Sequence, residues 1–422
     1  MHPKGRGCQY RIMTGPTDLP TLPGTPFAGL LAEARALQDR TVDLRRALHR
    51  RPEQGLQLPR TQQAIRATLA DLPIEFTEGR STTSLSGVLR GARPGPAVLL
   101  RGDMDALPLH EDTGLEFASE VDDSMHACGH DTHVAMLASA ARLLAGRVDE
   151  LAGSVVFMFQ PGEEGDHGAR HMIHEGVLDA AGPRVSRAFA LHSMATMPSG
   201  VLRVRGGTIM ASADTFRIEV TGRGGHGSMP HEAIDPVPAA AAMVGALQTM
   251  VTRRIPVFDP AVISVTRIEA GTTTNIIPET AVLQGTIRAL SESTRALIRE
   301  ELPKVCTSIG EAHGCRVLAD VDPGYPVTVN DDAVAAQVLA LAADVLGPAN
   351  AEEILVPSMA AEDFSYVLQR VPGAFAFLGA CPPGVDPETA PNNHSNRVVF
   401  DENAMPSGVA MHTAFALAAL RD

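Results

Sequence analysis

The chain has 422 residues, 44% hydrophobic and 20% charged, which excludes a mainly disordered polymer and, at roughly 150 residues per domain, leaves room for about two to three domains. The formal net charge is −14, and no basic run exceeds the Arg45-Arg46 and Arg50-Arg51 pairs, so nucleic acid and anionic membrane surfaces are poor partners. No stretch approaches the roughly 20 apolar residues of a membrane span, no signal peptide is evident, and five sparse cysteines fit a reducing compartment, so a soluble cytoplasmic protein is expected.

Residues 1–24, with many Pro and Gly, read as a disordered lead-in, and Met13 stands as an alternative start. Leu30, Leu31, Ala34, Leu37, Val42, Leu44 and Leu48 recur at helical spacing and predict one amphipathic helix from Pro26 to Arg51. A second helix is expected over Thr61 to Leu72. Gly87 to Gly91 and Ala97 to Arg101 read as strands, the latter a short apolar run closed by Gly102. His130 to Leu144 reads as a helix, and Gly153 to Gln160 and Arg187 to Leu191 as buried strands. Strands alternating with helices predict an α/β architecture with a mostly parallel sheet.

The pattern changes near Ser212. Thr215 to Thr221 alternates with period two, as a half-exposed strand does. A helix from Ile234 to Arg253, strands over Val262 to Ile268 and Val282 to Leu290, a long helix from Ser291 to His313 with Pro303 inside it, and a strand near Cys315 to Val321 follow. This order predicts a small inserted α+β unit over 212–325, dividing a catalytic domain of 25–211 and 326–422. The first style then resumes: helix Asp331 to Leu346, strand Glu353 to Val356, helix Asp363 to Arg370, strand Ala374 to Gly379, and a closing helix from Ala404.

Chemistry-bearing residues gather in the predicted loops, mostly after strands, where open α/β sheets place their ligands. Cys128 and His130 stand two apart before a helix, and both suit a borderline-soft divalent metal. Glu163 and Glu164 follow a buried strand, where adjacent carboxylates are costly unless a cation compensates them. One on metal and the other as general acid/base is a natural division. His192 follows the strand Arg187 to Leu191, and His394 lies in a turn-rich segment. Each is bland alone; together Cys128, His130, Glu164, His192 and His394 suit two metals sharing a site. Asp105 is placed to orient a ligand histidine. In the middle block, His226 is flanked by glycines, Asn275 is a loop amide, and Arg288 near a strand end could pair with a substrate carboxylate.

The runs RGDMDALP, MHACGHDTH, FQPGEEG, LHSM, GGHGSMPHEAIDPV, GTTTNIIPE, AEDFSYVL and NNHS, in this order and spacing, resemble the hippurate hydrolases, indole-acetyl-amino-acid hydrolases and related N-acyl-amino-acid amidohydrolases. These are carboxypeptidase-like co-catalytic metallohydrolases with an inserted lid domain. The resemblance runs from about Leu30 to the C-terminus. It implies metal ligands at Cys128, His130, Glu164, His192 and His394, Glu163 as general base, His226 from the lid on the substrate and its oxyanion, and Asn275 and Arg288 as substrate-positioning residues. It implies two divalent ions per chain, with zinc favoured by softness and manganese, cobalt or nickel as alternatives. It also implies a homodimer through the lid, in which His226 serves the partner's site. Ala360-Ala361 stands where the family usually has Gly-Gly or Gly-Ser, the glycine-rich run shrinks to Gly271-Thr272-Thr273, and the stretch after His394 departs in character. Competing readings are a dipeptidase or N-acetyldiaminopimelate deacetylase, a Cys128 nucleophile with His130 or His126 as its base, and a non-catalytic metal-binding protein.

Overall fold

The computed structural model describes residue 27 and residues 29–421. The expected lead-in, Met13, Cys8 and the start of the first helix at Pro26 lie outside the described residues. An eight-stranded sheet has the order Ile74–Glu78, Leu85–Arg90, Ala152–Gln160, Arg93–Asp103, Val185–Pro198, Gly373–Cys381, Leu202–Val204 and Ala351–Glu353. Its centre, from Ala152–Gln160 to Gly373–Cys381, is parallel. Towards either edge the pairing turns antiparallel, at Leu85–Arg90 and at Leu202–Val204. The central strands are apolar runs rather than alternations because both faces are covered. Every residue of Gly373–Cys381 is buried. Helices Leu30–Ala36, Gln38–His49, His130–Ala145, Asp332–Val345 and Met405–Ala419 contribute to a core on one face. Gly168–His174 and Ser365–Leu368 contribute to the core on the other.

A second, antiparallel sheet of four strands has the order Ala261–Ala270, Thr280–Ala289, Ala213–Thr221 and Arg316–Tyr325. Phe216, Ile218 and Val220 point inward onto helices Pro236–Arg254 and Glu292–Ala312, while Arg217 and Glu219 face out and pair with each other. This unit has its own apolar core. The chain leaves the large sheet and returns to it along a short antiparallel ladder, in which Thr328 pairs with Met210 and Asn330 with Gly207. The two crossings therefore run side by side. Among the described residues no helix is long and apolar enough to cross a membrane.

The structure differs from the sequence reading at several places. The first helix breaks at Leu37, where the Thr41 hydroxyl bonds the Leu37 carbonyl at 3.0 Å; such back-bonding competes with regular helix geometry. The strand expected to end at Leu191 runs on to Pro198, because Gly373–Cys381 continues to pair with it. The helix expected over Asp363 to Arg370 shrinks to Ser365–Leu368, and the strand expected at Glu353 to Val356 lies at Ala351–Glu353. Glu292–Ala312 passes through Pro303 as one continuous helix.

Candidate active site

Cys128 and His130 flank Gly129, whose φ of +83° is one that side-chain-bearing residues rarely adopt. That turn brings the sulfur and the imidazole to one centre at the start of helix His130–Ala145. His192 lies within its long strand, just beyond the point where the neighbouring strand Arg93–Asp103 stops pairing at Arg101 with Ala190. Cys128 Sγ is 3.3 Å from His192 Nε2 and 3.2 Å from His394 Nε2. His394 Nε2 is also 3.2 Å from Glu164 Oε1, and His130 Nε2 is 3.9 Å from that same oxygen.

Two of the three imidazoles have their other nitrogen occupied by backbone. His130 Nδ1 donates to the Asp105 carbonyl at 2.8 Å, and His192 Nδ1 to the Ser193 carbonyl at 3.0 Å. Each arrangement leaves Nε2 facing the centre, the tautomer that a metal requires. Asp105 thus orients His130 through its carbonyl; its carboxylate, 3.5 Å from the same nitrogen, instead accepts the Glu163 and Glu164 amides at 2.9 Å each. The Glu163-Glu164 loop is thereby fixed to the loop that holds His130.

His394 sits at φ +70°. Asn393 holds that strained backbone in place: its amide group donates to the Ser193 carbonyl at 2.9 Å and the Cys128 carbonyl at 3.3 Å, and its side-chain oxygen accepts from Ala195. One amide thus ties together the segments that carry Cys128, His192 and His394.

The charge balance of the centre favours a cation. Burial and the nearby Glu164 push the Cys128 thiol up. Bonds to Cys128 and Glu164 raise His394 to about 10. Burial and the neighbouring His133 push His192 well below its ordinary value. Burial, then the carboxylates of Glu362, Glu164 and Asp363, push Glu163 well above its ordinary value. His130 Nε2 is buried without a hydrogen bond, a costly state for a polar atom. The ligand atoms of Cys128, His130 and His192, of Cys128, Glu164 and His394, and of His130, Glu163 and Glu164 each lie within 4.8 Å of one another. A thiolate, imidazoles and carboxylates converging in this way fit borderline-soft divalent ions, which would replace the shared protons.

Behind the centre lies a charged network that the sequence reading missed. Arg101 is fully buried and bonds Asp103 at 2.6 Å, Glu362 at 2.7 Å and Gln160 at 2.9 Å. Asp103 accepts from His133 Nδ1 at 2.5 Å, and His133 Nε2 accepts the Ser193 amide at 2.7 Å. Asp363 takes the Gln160 amide group and the Ala169 amide, and its own N–H lies 3.4 Å from Glu163 Oε1. The signal was present: an arginine and an aspartate at the end of an otherwise apolar strand need partners.

The lid candidates are placed differently. His226 is exposed and pairs with Ile276 in a two-residue ladder. Its Nδ1 is 2.9 Å from the Ser228 hydroxyl. The Asn275 carbonyl accepts the Gly227 amide at 2.9 Å, so His226 and Asn275 share one loop pair. Arg288 is half-buried beside Asp214, and burial depresses its pKa. No hydrogen bond or ion pair joins these three to the donor cluster.

A model of peptidase family M20/M25/M40 matches residues 99–418. The chain belongs to that family. It is 39% identical over 392 residues to thermostable carboxypeptidase 1 of Saccharolobus solfataricus, covering 91% of this chain and 96% of that one. It is 33% identical over 392 residues to the hippurate hydrolase of Campylobacter jejuni, covering 93% and 100%. A crystal structure of a dinuclear metal-binding M20-family peptidase from Bacillus subtilis superposes with a TM-score of 0.78 at 32% identity, covering 92% and 99%. The resemblance read from the motifs holds at the level of the family. As a member, the chain is a metal-dependent hydrolase of amide bonds.

Proposed function

We propose that this M20-family protein hydrolyses the amide bond of N-acyl-L-amino acids, with Glu163 as general base and two divalent ions held by Cys128, His130, Glu164, His192 and His394. The observation that carries the reading is the pairing of two adjacent carboxylates in unlike settings. Glu164 lies against His394 and His130, whereas Glu163 is buried, and among the described residues its carboxylate's one hydrogen bond is a long one of 3.4 Å from the Asp363 amide. The thiolate and three imidazoles favour zinc, with manganese, cobalt and nickel as alternatives.

When bound, the ions would acidify the attacking water and polarise the scissile carbonyl. Glu163 takes a proton from that water and returns it to the leaving nitrogen. Asp105 keeps Glu163 at a fixed height by holding its amide. His226 stabilises the oxyanion when the small unit closes over the site. Arg288 pairs with the free carboxylate of the amino-acid half, with Asn275 helping to position it. We infer a cytoplasmic homodimer joined through the small unit, 212–325, in which His226 acts in the partner's site.

A second reading, cleavage of dipeptides, is favoured by the relative named a carboxypeptidase, since such substrates carry the same amide and free carboxylate. The test is hydrolysis of N-benzoyl-glycine, N-acetyl-methionine and a dipeptide before and after chelation, with metal counted on the same sample. Chelator-sensitive cleavage of the acylated amino acids over the dipeptide supports the first reading, and the reverse order supports the second. Cleavage that survives full metal removal would discard both and revive a Cys128 nucleophile.

A further inference from the structure

The return crossing from the small sheet carries Gly324 and Tyr325. Tyr325 is buried, and its hydroxyl donates to the Glu163 carbonyl while accepting the Gly165 amide at 2.6 Å. The His167 amide lies 3.4 Å from the same oxygen. One phenol therefore holds both ends of the turn that bears Glu163 and Glu164. His167, left-handed at φ +58°, packs edge-on against the Tyr325 ring, and its Nδ1 is 2.9 Å from the Tyr366 hydroxyl.

The peptide just before Tyr325 is held from the small unit. The Gly324 amide donates to Asp214, and its carbonyl accepts from Arg295 at 3.0 Å. Arg295 and Asp214 form a buried pair between helix Glu292–Ala312 and strand Ala213–Thr221. Tyr366, from the large unit, donates to the same Gly324 carbonyl at 3.3 Å. Gly324 lies close against the neighbouring strand: a Cβ there would lie 2.0 Å from the Ala213 carbonyl oxygen. The small unit and the Glu163 turn are thus linked through one peptide and one phenol.

We propose that Tyr325 is a positioning residue that couples the placement of the small unit to the placement of the Glu163 carboxylate. This rests on the reading of Glu163 as general base. Hinge-linked residues of this kind change turnover without touching the substrate, and a displacement of about 1 Å costs up to about 100-fold.

The test compares Tyr325→Phe, Glu163→Gln and the double variant on N-benzoyl-glycine, or whichever substrate of the panel the wild type cleaves, all loaded with metal. Tyr325→Phe keeps the ring against His167. Its kcat is expected to fall by about 10–100-fold, with KM within about threefold and metal content unchanged. In the Glu163→Gln background the same change is expected to cost nothing more, because its target is gone. A merely structural role would lower the melting temperature and leave kcat per folded molecule unchanged. Wild-type kcat in Tyr325→Phe beside a slow Glu163→Gln overturns the coupling and leaves the base standing. Losses that multiply in the double variant, or loss of metal, also overturn it. Near-normal turnover in Glu163→Gln removes the base reading itself, and the coupling with it. If Tyr325→Phe does not fold, Tyr366→Phe, which removes one hydroxyl contact from Gly324 and from His167, is expected to show a smaller fall in kcat with the same non-additivity. Additive losses there overturn the proposal.

Discussion

In the donor cluster, His130 and His192 each have one ring nitrogen fixed on a backbone carbonyl and the other turned to the centre, and the sulfur, carboxylate and imidazoles fall in overlapping groups whose atoms lie within 4.8 Å of one another. In the small unit, His226 is exposed, Asn275 is held mainly by its own loop, and Arg288 has only the field of Asp214 beside it. The first region is held by the protein's own hydrogen bonds. The second is a set of loose parts on a unit that is joined to the large sheet through two adjacent crossings. A preorganised centre suits bond breaking, where geometry must hold to a fraction of an ångström. Parts that assemble on closure suit substrate selection, because the substrate's own binding energy can drive the assembly.

The largest effect should therefore fall in the first region. Glu163→Gln keeps shape and metal content but removes the proposed proton acceptor, and kcat is expected to fall by roughly two to four orders of magnitude. Metal counting on the variant separates this from loss of a ligand. Near-normal turnover would place the base elsewhere and dissolve the contrast drawn above.

The loose region should respond in a different quantity. Arg288→Ala is expected to lower kcat/KM by about 10–100-fold, the scale of one hydrogen bond to a charged group, mostly through KM, with metal content and melting temperature unchanged. Arg288→Lys should recover little, since an ammonium cannot form the bidentate pair. Equal losses with a substrate amide that lacks a free carboxylate would show that Arg288 does not read that group.

Chelation sharpens the contrast through stability. Bound ions stabilise the fold by about 4 kcal/mol at 1,000 times Kd. Removing them should lower the melting temperature and raise amide exchange around Cys128, His192 and His394. The small sheet has its own core and contributes none of the proposed ligands, so its exchange should be unchanged. Uniform loosening of both regions would mean that they unfold as one.

Much of this was legible in the sequence for a local reason. Polar residues after buried strands, period-two alternation in Thr215 to Thr221, and the change of style near Ser212 are all set by neighbours in the chain. What escaped depends on distant partners. Arg101 meets Glu362 across 261 residues and Tyr325 reaches Glu163 across 162, so neither role has a local signature. Asn393 stood inside a quoted motif, yet its clamp on Cys128 and Ser193 exists only once three segments converge. The continuation of the His192 strand to Pro198 likewise depends on a partner strand near the other end of the chain.

The smallest expected effect tests whether the first region extends behind the donor cluster. Asp131, next to His130, accepts from Arg45 Nε and lies 2.8 Å from His49 Nδ1, while His49 Nε2 is 3.3 Å from Glu111. Burial opposes charge on all three titrating groups. The Arg45 and His49 charges nevertheless hold Asp131 well below the carboxylate range, and bonds to His49 and Thr113 hold Glu111 below it. The Asp131 charge and the bonds to Asp131 and Glu111 raise His49. A raised histidine gives stability that is complete below its unfolded value near 6.5 and is lost as pH rises through the folded value. A depressed carboxylate gives stability present above about 4 and lost as pH falls through its folded value. This network should therefore stabilise the fold most between about pH 4 and about pH 6.5. With chelator present throughout, so that metal release adds no slope, the wild-type melting temperature should fall more steeply from about pH 7 to about pH 9 than that of His49→Gln. The slope is the readout, because the substitution also lowers stability at every pH by disturbing a buried network. Parallel slopes would mean that His49 is neutral in the folded chain, and the preorganised region would then end at His130.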